Sequence, residues 1–145
     1  MHGPLCGKLL NICPPAAIID NAAVTFAAVD TIGARFARFR FQLGALDIAF
    51  ATPPKIQESD DDGSTDAYAD ITGATLSAIS ATKDNKLYQI SIPIHGGRKR
   101  YLKAVATAGD GAAGTYIAAT CELFYGENQG QNATDCGLEE WVSLT

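Results

Sequence analysis

A glycine loop, an acidic run and a basic triplet are the stretches whose residue types could do chemistry. Gly109-Asp110-Gly111-Ala112-Ala113-Gly114 satisfies G-x-G-x-x-G. That pattern holds a dinucleotide pyrophosphate when a helix comes next and its first amides face the phosphates. The residues after Gly114 are TYIAATCELFY, with β-formers at both ends. A tight hairpin loop is therefore expected, glycine supplying the positive φ that turns need. A helical alternative stays open, because Ile117, Cys121 and Phe124 also fit an i, i+4, i+7 stripe. Asp60 to Asp66, DDDGSTD, has the oxygen-rich look of a calcium loop. An EF-hand needs Glu at its twelfth position, and counting from Asp60 that residue is Ile71, so the EF-hand is excluded. The run reads as a solvated surface loop, with a nonstandard weak cation site as the alternative. Arg98-Lys99-Arg100 could bind phosphate or carboxylate groups, or simply open a strand toward solvent.

Catalysis has little to draw on. The histidines are His2 and His95, and His95 stands beside Gly96-Gly97 as a turn residue. With no histidine cluster, no transition-metal site is expected. Ser91 is near His95 in sequence, but no serine has a G-x-S-x-G setting. Asn132-Ala133-Thr134 matches a glycosylation acceptor and, with no secretion signal visible, reads as incidental. The expectation is a protein that is not an enzyme and carries no cofactor.

Composition narrows the class further. A chain of 145 residues with 47% hydrophobic content fits one domain with a sizeable core. Eleven Lys and Arg against sixteen Asp and Glu leave a net charge of −5, which argues against a nucleic-acid partner. Positive charge is clustered at Arg35, Arg38 and Arg40 and again at Arg98 to Arg100, as suits a protein–protein contact. No apolar run reaches the roughly 18 residues of a membrane span, and Met1 to Lys8 shows no secretory leader. The chain reads as a soluble protein made in a cytoplasm, where free thiols are the default. Cys121 alternates in phase with Ile117, Ala119 and Leu123 and reads as a core residue. Cys6, Cys13 and Cys136 fall in terminal arms, where disulfide pairing stays open.

These residues must be positioned by strands. Lys86 to Tyr125 reads as three strands in succession, separated by Gly96-Gly97 and by the Gly109–Gly114 loop. Ile90, Ile92 and Ile94 alternate with polar residues and proline; Leu102, Ala104 and Ala106 share one face of the next segment. In Arg35 to Leu43, RFARFRFQL, Ala37, Phe39, Phe41 and Leu43 point one way and Phe36, Arg38, Arg40 and Gln42 the other. Charge on one face is the mark of an antiparallel sheet with a solvated or interface side. Val24 to Val29 reads as a short strand. Leu46 to Ala51 and Lys55 to Glu58 form a further pair broken by Pro53-Pro54. Ala67 to Ile71 and Thr75 to Ile79 are two shorter elements. About eight or nine strands at intervals of roughly 8–12 residues predict a β-sandwich or barrel. The division is an irregular N-terminal arm over 1–23, a sandwich over 24–125, and a polar extension over 126–145. That extension ends in LEEWVSL, which docks on its own subunit or on a neighbour.

The run SIPIHGGRKRYLKAVATAGDGAAGTYIAATCELF resembles the capsid cement (decoration) proteins of tailed bacteriophages. The shared pattern is an apolar strand ending in Pro, a glycine turn, an Arg-Tyr-Leu strand with a terminal Thr, a Gly-rich turn and a small-residue strand. ARFARFRFQLGALDIAF and KIQESDDDGSTDAYADI are similar to that family's earlier strands, so the match spans about Val24 to Tyr125. The resemblance implies an antiparallel β-sandwich of the jelly-roll type, trimeric, on the outside of a phage head, made in the bacterial host cytoplasm. It implies a structural role, bridging subunits of the major capsid protein, with no catalytic centre. Phe36, Arg38, Arg40, Arg98, Arg100, Tyr101 and Trp141 are then the interface candidates, since Arg and aromatics carry binding energy at such surfaces. The rival expectation is a carbohydrate- or receptor-binding β-sandwich on the virion. Both arms depart from the family pattern.

Overall fold

Alternation of apolar and polar residues builds this protein. The computed structural model describes residues 7–125 and 139–144, and no helix occurs among them. The strands are β1 (Gly7–Cys13), β2 (Val29–Asp30), β3 (Phe36–Leu46), β4 (Thr52–Ser59), β5 (Ala69–Thr75), β6 (Leu87–Pro93), β7 (Tyr101–Thr107), β8 (Thr115–Phe124) and β9 (Glu140–Ser143). They form two sheets, in the orders β1-β8-β3-β6-β9 and β2-β7-β4-β5. All pairs are antiparallel except β6 with β9, which is parallel. The predicted β-sandwich is the fold.

The inward rows agree with the alternation. Ala37, Phe39, Phe41 and Leu43 of β3, Leu102, Ala104 and Ala106 of β7, and Ile117, Ala119, Cys121 and Leu123 of β8 are all buried. Phe39 and Phe41 are fully covered, each contributing about 1.5–3 kcal/mol by leaving water. Phe26 meets Phe41 edge to face at a centroid distance of 5.8 Å, the geometry that ring quadrupoles favour.

The neighbours of each strand differ from expectation. β6, β7 and β8 do not pair with one another: β6 and β8 flank β3, while β7 belongs to the opposite sheet. The Gly109–Gly114 loop is therefore a crossover between sheets, not a hairpin. The helical alternative is overturned too, since Thr115 opens β8. The glycines are required by close packing as well as by turning. A Cβ on Gly109 would sit 2.2 Å from the Ala49 carbonyl oxygen, and Gly114 has φ +78°.

Several boundaries are corrected. The 1–23 arm is not irregular over Gly7–Cys13, which is β1 and pairs with β8; Gly7 opens that strand and Pro14-Pro15 follow it. Val24–Val29 is not a strand; β2 is Val29–Asp30, and Val24 only donates to the Ala106 carbonyl at 2.9 Å. Pro53-Pro54 do not break β4. The ladder with β7 shifts register between Thr52 and Lys55, and a bulge is where a strand tolerates proline. The Leu46–Ala51 element is not a strand of its own, since β3 runs on to Leu46. Ala67–Ile71 and Thr75–Ile79 are replaced by the single strand β5. β6 is buried along both faces beyond Leu87, because it is an interior strand of its sheet with Arg40 bonded to Gln89 beside it.

Candidate interaction surface

The outer face of the five-stranded sheet is built from residues opposite the core rows. Register sets Arg38 beside Glu122 and Ser91, and Arg40 beside Thr120 and Gln89. Arg38 is 14% exposed; its guanidinium stands 4.0 Å from the Glu122 carboxylate and 4.6 Å from the Phe124 ring centroid. Arg40 is 41% exposed. Its Nε donates to Gln89 Oε1 at 3.0 Å and its NH1 is 3.6 Å from Glu122. Two arginines thus reach the one Glu122 carboxylate. Arg38 is embedded by its neighbours, whereas Arg40 reaches solvent. Phe36 opens the same strand between Pro93 and Phe124, half-buried.

Three apolar side chains on this sheet escape sequence reasoning. Leu9 is 66% exposed and opposite Glu122; Tyr116 is 48% exposed; Leu87 is 37% exposed and opposite Gln42. Leu9 is hidden because the glycine and prolines around β1 mask that strand. Tyr116 is the one with a signal, since it alternates with buried Ile117. Ala118 and Thr120 leave shallow hollows beside Arg40 and beside Tyr116, of about 140 and 270 Å³. Arginine, tyrosine and leucine around small residues make a surface that a protein partner can cover.

The basic triplet does something different. Arg98 donates to Glu58 at 3.0 Å, Lys99 Nζ to Asp66 at 2.5 Å, and Arg100 grips both oxygens of Asp30 at 2.8 and 2.7 Å. Arg100 holds the Asp30 carboxyl below the usual range, and its own pKa is raised in return. Arg100 also stands 5.1 Å over the Tyr101 ring. These residues tie the turn before β7 to β2, to the end of β4 and to the loop after it. Arg98, Arg100 and Tyr101 therefore stand apart from Phe36, Arg38 and Arg40, at the corner leading into the opposite sheet. Trp141 lies in β9, its backbone opposite Gln89, which brings it to the same sheet as Arg40.

The acidic loop closes on itself. Asp61 accepts from the Asp66 and Thr65 amides at 2.9 Å each, and Ser59 Oγ accepts from Gly63 N at 3.0 Å. Those amides hold the Asp61 carboxyl low. Among the described residues no group of three or more His, Cys, Asp or Glu gathers as a metal site. The G-x-G-x-x-G amides are similarly occupied: Gly111 N donates to Asp20 Oδ1 at 2.9 Å and Ala113 N to Asp47. The protein's own carboxylates take the place an anion would have.

Cys13, left open to pairing by the sequence, is a buried free thiol, as is Cys121. Burial pushes both thiols up. Cys13 donates weakly to the Ile117 carbonyl at 3.8 Å, on the wall of a hollow of about 600 Å³ beneath residues 14–25. Cys6, Cys136, His2 and Asn132 lie outside the described residues. Among the described residues no helix is long and apolar enough to cross a membrane. No protein-family model matches the chain, and no curated protein matches its sequence.

Proposed function

We propose that this chain is a structural cement protein of a bacteriophage head. It binds the outer capsid surface as a homotrimer and bridges subunits of the major capsid protein. The observation that carries this reading is the outer face of the five-stranded sheet, where solvent-reaching Arg40, Tyr116, Leu9 and Leu87 surround small residues. Exposed arginine and tyrosine are the types that anchor interfaces. Support also comes from the pairing order. β1 pairs with β8, β2 with β7, β3 with β6 and β4 with β5, which we read as a wound double ribbon, the jelly-roll order of many capsid domains. The stretch carrying the family resemblance runs from β2's approach to the end of β8. On this reading the protein performs no catalysis. Its work is avidity: three modest contacts in one trimer act at high effective concentration.

The experiment is co-sedimentation of purified protein with phage heads, followed by localisation of the added density. Saturable binding at three-fold positions is the expected result. Absence from purified virions, together with no binding to heads, overturns the proposal. A clear glycan-array signal in its place would install the carbohydrate- or receptor-binding reading.

A further inference from the structure

β9 differs from the other strands. β1 to β8 pair among themselves, antiparallel throughout, and make two four-stranded layers without it. Among the described residues β9 is parallel and shares its backbone ladder with β6. Its seat is nonetheless well furnished. Glu139 N donates to the Leu87 carbonyl at 2.6 Å and Leu144 N to the Ser91 carbonyl at 3.2 Å. The Glu140 carboxylate accepts from Ser77 N and Oγ at 3.1 and 2.9 Å. Glu139 meets Lys83, with Lys86 at 3.8 Å. Val142 and Leu144 pack on the core, and Leu144 reaches Gly73 of β5. The seat is a strand-acceptor groove along β6, walled by the loop that joins β5 to β6.

The route to that groove is short compared with the chain available. Phe124 stands opposite Phe36, and Phe36 opposite Pro93, so β8 finishes level with the end of β6. β9 begins level with Tyr88, near the start of β6. Five residue steps along the strand cover about 17 Å and three strand spacings about 14 Å, a straight path of about 22 Å. Residues 125–139 number fifteen, and a fully extended chain of that length would span at most about 50 Å. Less than half of that reach serves the strand's own β6, and the surplus brings the β6 of an adjacent copy within range.

We infer that β9 is an exchangeable strand, and that on assembly the groove of one copy is filled by the β9 of a second copy. The bonds to Leu87, Ser91, Ser77 and Lys83 are the same in either arrangement, so exchange costs little and links the copies. The inference rests on the trimer reading only for the number of copies joined.

The test uses the full-length chain without phage heads. Equal amounts of ordinary and ¹⁵N-labelled protein are unfolded together, refolded and concentrated. A zero-length carbodiimide then joins Lys83 to Glu139, and the linked peptides of the oligomeric fraction are weighed. Complete exchange makes half of the Lys83–Glu139 links mixed in label; closure within each chain makes none. Mixed-label links at a substantial fraction of that half are expected. Links of one label only in the oligomer, or a chain that stays monomeric when concentrated, overturn the inference. Mixed links in a chain that ignores phage heads would keep the exchange and sink the cement reading, and head binding with unmixed links would do the converse.

Discussion

Replacing Arg40 by alanine separates a binding role from a folding role. Its Nε donates to Gln89 Oε1 at 3.0 Å, and Gln89 is only 1% exposed. Loss of an ordinary hydrogen bond costs about 0.5–1.5 kcal/mol, rising to about 1–3 kcal/mol if the buried amide oxygen is left unpaired. The contact with Glu122, at 3.6 Å and partly exposed, adds at most about 1 kcal/mol. Against a stability of about 5–15 kcal/mol for a domain, the variant still folds. Attachment to heads should suffer more. A central arginine at an interface is worth about 2 kcal/mol or more, a weakening of roughly 30-fold per contact, compounded across three copies. Urea unfolding measures the first effect, and bound protein per head against free concentration measures the second. Arg40→Lys keeps the charge but loses the planar donor, and should fall between the two. A folded Arg40→Ala variant that decorates heads at the wild-type concentration would refute the reasoning.

Gly109→Ala drives a methyl against the Ala49 carbonyl oxygen, 2.2 Å away; overpacking of this kind should lower stability by about 1–3 kcal/mol, read from the shift in denaturation midpoint. Acid should weaken the fold in a defined window. Asp30 beside Arg100, Asp66 beside Lys99, Asp70 beside Lys55, and Asp47 and Asp61 on backbone amides all have lowered pKa values. A lowered folded pKa stabilises above the unfolded value and is lost as pH falls through the folded one. The midpoint should therefore stay nearly level down to about pH 5 and drop below about pH 4; a rise on acidification contradicts the assignment. Cys13 and Cys121, buried with raised pKa, should resist alkylation at neutral pH in the native state and react promptly in denaturant. Peptide mass spectrometry resolves each site, and rapid native labelling of Cys121 would show the core wrongly packed.

Which residues face inward was legible in the chain, because a strand's period of two assigns faces locally. Phe39, Phe41, Leu102 and Cys121 are inside for that reason, and Arg40 is outside. The alternation cannot say which strand lies beside which. β6, β7 and β8 follow one another in sequence yet never pair, since pairing depends on how two sheets stack over a shared core. The same limit hid the partners of the basic triplet. Asp30, Glu58 and Asp66 lie 33 to 70 residues from the bases they meet, so Arg98 and Arg100 looked available until folding brought carboxylates to them. β1 and the proline-bearing start of β4 were also decided at the tertiary level. A flanking proline or a bulge is tolerated where neighbouring strands supply the remaining hydrogen bonds. Face is a property of the local chain, whereas neighbour, edge and charge partner belong to the assembled sandwich.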